Sequence, residues 1–256
     1  MSRPSFERLI EGEFKNFEIS KNKFEDILTW AIRIREAVST ENIVDIAEPK
    51  EYLMLTQLCG NAFVTAILLI MKAHVFFGEA VARVGLEAAM QMAVIQANYK
   101  KHLEIWRSYQ LNKGKEQQKQ AKQEFRKAFS YDRKKHDYSK FMEALEKDYI
   151  ERVWGILSEN SSHAGFMQTT LSMDFKSNKE TTFIKTGFFD TLSPDQNMIG
   201  RVMLFVVDIY SHLSLIISRI LTSKGYKLKR TPEKIETERK EWEDFSAEKI
   251  KELGNL

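Results

Sequence analysis

The chain is predicted to be all-α, a multi-helix bundle around a central antiparallel helical hairpin. Three features of the sequence carry that expectation. Of 256 residues only four are proline (Pro4, Pro49, Pro194 and Pro232), and none lies between 50 and 160, so nothing interrupts long helices there. Apolar residues recur at helical spacing, as in the stripe Ile27, Ala31, Ile34 and Val38, the pattern of a helix with one face in a core. Residues 51–73 are rich in Leu, Ile and Ala on most faces, which marks a helix at the centre of the fold. At this length, with 43% hydrophobic and 29% charged residues, a sizeable core is available and the whole of 1–256 reads as a single helical domain.

The elements follow in order. Ser20 is placed to cap a helix over 21–38, and Pro49 opens the next, over 51–73. Phe76-Phe77-Gly78 is the expected turn of the hairpin 52–97, because glycine can take the left-handed conformation that ends a helix. The return helix over 79–97 carries Val81, Val84, Ala88, Met92 and Ile95 inward. A long polar helix is expected over 100–129, weakened at Gly114, with 113–135 as a basic, protruding stretch; another helix covers 138–159. Residues 166–189 break the pattern. They alternate weakly (Thr169, Leu171, Met173; Thr181, Phe183, Lys185) around the turn-prone Lys176-Ser177-Asn178, so a short β-hairpin or an ordered loop is expected there. Ser193-Pro194-Asp195-Gln196 reads as an N-cap, an N1 proline and an N3 glutamine. It opens an amphipathic helix that runs to Ser223 and ends at Gly225. Thr231-Pro232 repeats the cap and opens a charged peripheral helix over 232–253, anchored by Ile235, Trp242 and Phe245.

Composition excludes several function classes. A net charge of +3 is too small to make the whole surface a polyanion binder. The one cysteine, Cys59, allows no intramolecular disulfide and no cysteine-rich zinc site, which suits a reducing, cytoplasmic setting. The N-terminal residues MSRPSFERLIEGEF hold no apolar stretch behind a basic start, so no secretory leader is expected. Residues 62–71 and 202–221 are apolar, but Lys72, His74 and Glu79 follow the first, and Asp208, His212 and Arg219 lie in the second. Both are expected to be buried helices of a soluble protein rather than membrane spans. H-x-x-x-H, H-E-x-x-H and E-x-x-H pairings, G-x-G-x-x-G and G-x-x-x-x-G-K-[ST] loops and G-x-S-x-G are all missing from the sequence, so no metal, nucleotide-loop cofactor or serine-hydrolase chemistry is expected.

Residues 74–106, HVFFGEAVARVGLEAAMQMAVIQANYKKHLEIW, carry Glu79-Ala80, Arg83 and Glu87; ERVWGILSENSSHAG carries Trp154, Leu157, Ser158 and His163. The two segments, both within 61–165, resemble a family of prokaryotic all-helical proteins of unknown function. In that family one helix has an "eA…R-x-x-x-E" core and a later helix ends in an aromatic, a Leu-Ser pair and a histidine. The family is distantly similar to HEPN proteins, which include RNases of toxin–antitoxin and phage-defence systems, so the resemblance implies a connection with RNA. The chain departs from HEPN nucleases at their catalytic pair, an Arg and a His on one helix with four to six residues between them. None of His74, His102, His136, His163 and His212 has an arginine five to seven positions upstream, so RNase activity by that pair is not implied.

Arg83 and Glu87, four apart, share a helix face in an otherwise apolar helix, where a lone charge would be costly. They either form an ion pair that fixes helix register, or line a pocket where Arg83 grips an anion with two N–H groups and Glu87 orients it. His163, beside Ser158, Ser161 and Ser162, either meets free carbonyls at a helix end or acts as a base or substrate contact beside Arg83 and Glu87. The stretch 113–135 holds nine Lys/Arg, closing on Arg133, Lys134 and Lys135, against Glu116, Glu124 and Asp132, with Phe125, Phe129 and Tyr131 interleaved. It is either a solvated helix face or a nucleic-acid surface. Two functions follow as expectations. One is an RNA- or nucleotide-binding helical module with Arg83, Glu87 and His163 as candidate catalytic residues and Ser158, Arg133, Lys134 and Lys135 as candidate substrate contacts. The other is a non-enzymatic interaction or scaffold protein whose helices at Pro194 and Pro232 form a homodimer or recruit a partner.

Overall fold

The computed structural model describes residues 6–111, 115–129, 138, 141–162, 173–177, 182–186 and 195–254. The fold is all-α with short antiparallel β-pairs. Its elements are α1 (Phe6–Lys23), α2 (Glu25–Ala37), β1 (Ile43–Asp45), α3 (Glu51–Met71), α4 (Val75–Ala97), α5 (Tyr99–Leu111), α6 (Lys115–Ala128), α7 (Ala144–Ser162), β2 (Met173–Ser177), β3 (Thr182–Thr186), α8 (Gln196–Ser223), β4 (Lys227–Leu228) and α9 (Pro232–Leu253). The central hairpin is α3 and α4. α8 crosses both, α2 and α9 cover α8, and α7 lies along α4. β2 and β3 form the expected hairpin, Met173 pairing with Thr186 and Ser177 with Thr182. The pairing of β1 with β4 joins the segment before α3 to the one after α8 and has no counterpart in the sequence pattern.

Several local expectations give way to tertiary contacts. Ser20 does not cap a helix: it lies inside α1, where its hydroxyl donates to the Met71 carbonyl at 3.1 Å and ties α1 to the end of α3. The hairpin turns at Lys72–His74, not at Gly78, with Ala73 taking the left-handed conformation (φ 68°). Gly78 sits within α4, where a Cβ would stand 2.4 Å from Ile70 Cγ1; it serves the close approach of α3 and α4. The long helix expected over 100–129 is two. α6 folds back along α5, stacking Phe125 on Tyr109 at 4.2 Å, so the described part of the basic stretch packs rather than protrudes. The N-cap of α8 is Asp195, which accepts from Asn197 N–H. Thr231 caps α9, its hydroxyl accepting from Lys234 N–H ahead of Pro232, and Gly225 follows α8 with φ 85°. Val84 points outward, whereas Ala88, Met92 and Ile95 are buried.

α3 and α8 are each long and apolar enough to cross a membrane by length and composition, and 83% of α8's apolar stretch but only 50% of α3's is buried within the fold. Cys59 lies fully inside α3, and burial pushes its thiol up out of the reactive range.

The tightest joint is at Gly85. The Tyr210 hydroxyl of α8 donates to the Ala82 carbonyl of α4 at 3.1 Å, and a Cβ on Gly85 would lie 1.9 Å from that oxygen. Gly85→Ala therefore forces the ring or α4 to move and lowers unfolding free energy by about 1–3 kcal/mol in chemical denaturation. Gly155→Ala, in α7 with nothing within 4 Å of the added carbon, raises it by about 0.5–1 kcal/mol.

Candidate functional site

Arg83 of the α4 motif and Trp154 of the α7 motif meet. Arg83 and Glu87 on α4 form an ion pair, Nε to Oε1 at 2.9 Å, and the Arg83 guanidinium lies 5.5 Å over the ring of Trp154 on α7. Both features hold the arginine: the carboxylate by charge, the indole face by its electron-rich quadrupole. They border a cleft of about 500 Å³ between α4, α6 and α7. Met90, Gln91 and Val94 form its floor, and Phe125, Arg126 and Phe129 close it from α6. Phe125 and Phe129 stack at 4.4 Å, and Gln91 accepts from Trp106 Nε1–H at 2.8 Å, which fixes the amide at the cleft floor. Arg126 is exposed and has no ion-pair partner among the described residues.

The Arg83–Glu87 ion pair is formed, and it borders a cleft. Glu79 of the same motif is buried in α4, and Leu157 is buried in α7. His163, Arg133, Lys134 and Lys135 lie outside the described residues, as does the side chain of Ser158 on α7. Among the described residues that line this cleft there is no histidine.

A second cleft of about 530 Å³ lies between α7, α8 and α9, and sequence reasoning singled out none of its residues as a site. Asp208 on α8 is its centre. It accepts from the Tyr149 hydroxyl of α7 and from Trp242 Nε1–H of α9 at 3.0 Å, so one carboxylate ties three helices together. Burial and the adjacent Asp208 charge push the Tyr149 phenol well up. His212, one turn along α8, stacks on Tyr149 at 4.1 Å. Its Nδ1 is buried with no hydrogen-bond partner among the described residues, and so is Nε of Arg239. Arg219 donates to both oxygens of Glu146, at 3.1 and 2.9 Å, and approaches Glu236 at 3.5 Å. The sequence signal was present in Asp208 and His212, two polar residues four apart in an apolar helix. Their partners, 59 and 34 residues from Asp208, carry no local signal.

Among the described residues no group of three His, Cys, Asp or Glu is placed to hold a metal ion. No protein-family model matches the chain, and neither a curated protein nor a solved structure matches it.

Burial pushes His212 down to about 4, against the opposing pull of Asp208 and with the help of Arg239. Its folded pKa is below the usual imidazole value, so the unfolded chain takes up the proton first as pH falls. The stability that neutral His212 contributes is complete above about pH 6.5 and is lost as pH drops towards 4, on the order of 2 kcal/mol. Thermal melts of wild type and His212→Gln between pH 7.5 and 4.5 read this as a difference: the wild type loses more stability over that range, and parallel curves would remove His212 as the cause.

Proposed function

We propose that this protein is a HEPN-related helical module of a defence or stress system that binds RNA or a nucleotide, holding it in the α4–α6–α7 cleft rather than cleaving it. The observation that carries the reading is the pairing of aromatic walls with an uncommitted cation. Trp154 and Phe129 offer aromatic surface on which a base can stack, Phe125 being itself stacked between Tyr109 and Phe129, and Arg126 stands beside them without an ion-pair partner among the described residues, free to meet a phosphate. Arg83, already held by Glu87 and Trp154, orients the cleft and supplies a fixed positive edge. The basic residues 119–127 of α6 add a sequence-independent attraction for a phosphate backbone. The HEPN kinship rests on the α4 and α7 motifs alone. The missing Arg–His catalytic pair, and the absence of histidine among the described lining residues, favour binding over nuclease chemistry. A second reading, an interaction protein, is supported by a different feature, the exposed apolar face of α3.

Binding is read from quenching of tryptophan fluorescence by a single-stranded oligoribonucleotide and, separately, by a mononucleotide. Wild type shows a saturable quench that Trp154→Phe removes while retaining most affinity. Arg126→Glu weakens oligonucleotide binding about tenfold at 0.1 M salt and lowers the slope of log K against log salt by about one. Oligonucleotide binding without the Trp154 quench would place the ligand elsewhere. No binding of either ligand would overturn the reading.

A further inference from the structure

Two hydrogen-bonding side chains of α4 line the α4–α6–α7 cleft one turn apart, and each is held by a neighbour that decides what it can offer. Gln91 accepts from Trp106 Nε1–H of α5 at 2.8 Å. An indole N–H only donates, so the amide oxygen must be the atom that meets it, and a flipped amide would set donor against donor. Trp106 is itself buried. Beside it α5 is tied to α4 by His102, whose Nδ1 donates to the Val94 carbonyl at 2.6 Å. The oxygen of Gln91 is thus spent, and its Nε2 donors have no partner among the described residues.

Glu87 is the complement. Its Oε1 accepts from Arg83 Nε at 2.9 Å, and Arg83 is held in turn over the Trp154 ring. The Glu87 side chain is 38% exposed and has no other partner among the described residues. Oε2 and the second lone pair of Oε1 therefore remain acceptors. At i and i+4 the two residues have Cβ atoms about 6 Å apart on one helix face. The cleft wall presents a fixed pair of acceptors and, one turn on, a fixed donor.

Watson–Crick edges sort themselves against that pattern. Guanine has two adjacent donors, N1–H and the 2-amino group, with the acceptor O6 beside them. A carboxylate takes both donors, one on each oxygen, and an amide N–H meets O6. On the other three bases the donor is flanked by a lone pair, so a carboxylate that takes it sets its second oxygen against that lone pair. We infer that, on the reading of this cleft as a site for RNA or a nucleotide, the base it takes is guanine: Glu87 accepts from N1–H and the 2-amino group, Gln91 donates to O6, and the ring lies against Trp154 and Phe129. The same edge is offered by a free guanine nucleotide and by an unpaired guanosine in a strand.

Equilibrium dialysis of the full chain against GMP, IMP, AMP, CMP and UMP tests the choice of base. IMP differs from GMP only by the missing 2-amino group. One hydrogen bond to a charged acceptor is worth about tenfold, so GMP binds about tenfold more tightly than IMP and at least tenfold more tightly than the other three. A uridine heptamer with and without one central guanosine separates the sources. A gain of tenfold or more for the guanosine heptamer over GMP supports the inference for a strand, and equal binding of the two supports it for a nucleotide. Glu87→Gln puts a donor where guanine needs an acceptor. It lowers GMP affinity about tenfold and leaves AMP within twofold; an equal fall for all five nucleotides would show that Glu87 serves only to hold Arg83 and would overturn the inference. Trp106 is a positioning residue: Trp106→Phe keeps a ring in place but lets the Gln91 amide flip, and the GMP-to-AMP affinity ratio falls about threefold. A ratio unchanged in that variant overturns the part given to Gln91. Equal binding of all five nucleotides by the wild type overturns the choice of guanine and leaves the cleft as a nucleotide site, whereas binding of none overturns both.

Discussion

The close approach of α4 to α8 and α3 organises the rest of the molecule. Tyr210 is fully buried, stacks on Phe63 of α3 at 4.4 Å, and reaches over Gly85 to the Ala82 carbonyl. One side chain of α8 thus touches two other helices, and its hydroxyl finds a partner without water. The contact requires a helix surface with almost no side chain. α4 provides one: Gly78, Ala82, Gly85, Ala89 and Met92 follow the three-and-four spacing of a single helix face, and all but the last are Gly or Ala. Small residues let backbones approach, and dispersion contacts grow steeply with that approach.

That arrangement decides where chemistry can sit on α4. Arg83, Glu87, Met90, Gln91 and Val94 occupy the opposite side of the helix, about half a turn away. The close-packed face excludes charge and pushes the polar residues to the side where α6 and α7 close over them less tightly. The Arg83–Glu87 pair is therefore neither buried in the core nor free in solvent. It is partly covered, with Trp154 above it, where a charge keeps much of its strength without the full desolvation penalty.

The parts legible in the sequence were those set by local rules. The α3–α4 hairpin announced itself through hydrophobicity, Thr231-Pro232 through capping chemistry, Gly225 through its tolerance of positive φ, and β2–β3 through alternation, although Lys176 and Ser177, expected in the turn, pair with Phe183 and Thr182 inside the strands. The pairing of Arg83 with Glu87 followed from spacing alone. What could not be read depended on residues far apart in the chain. Ser20 looked like a cap because the Met71 carbonyl it serves is 51 residues away. Gly78 looked like a turn because nothing local says that Ile70 will press against it. The weak point at Gly114 was legible, but the folding back of α6 on α5 goes with the stacking of Phe125 on Tyr109 and Phe129, which no local pattern shows. Trp154 reached Arg83 from 71 positions away. The cluster around Asp208 was hidden for the same reason, since its donors come from α7 and α9.

The two clefts contain similar numbers of cations, yet they differ in the carboxylates set against them. Around Asp208 two of the three arginines are committed: Arg219 is taken by Glu146 and approached by Glu236, and Arg239 pairs with Glu243, while the exposed Arg152 has no ion-pair partner among the described residues. At Arg219 and Arg239 an incoming anion must displace a carboxylate that is already well placed, and five carboxylates lie along the lining against three arginines. That cleft is best understood as a polar joint holding α7 and α9 to α8, where Tyr149 and Trp242 give Asp208 the donors a buried carboxylate requires. In the α4–α6–α7 cleft one carboxylate faces two arginines, and among the described residues only Arg83 has an ion-pair partner. The two linings thus differ in balance, positive in the α4–α6–α7 cleft and negative around Asp208, and the proposed binding of a phosphorylated ligand rests on that difference.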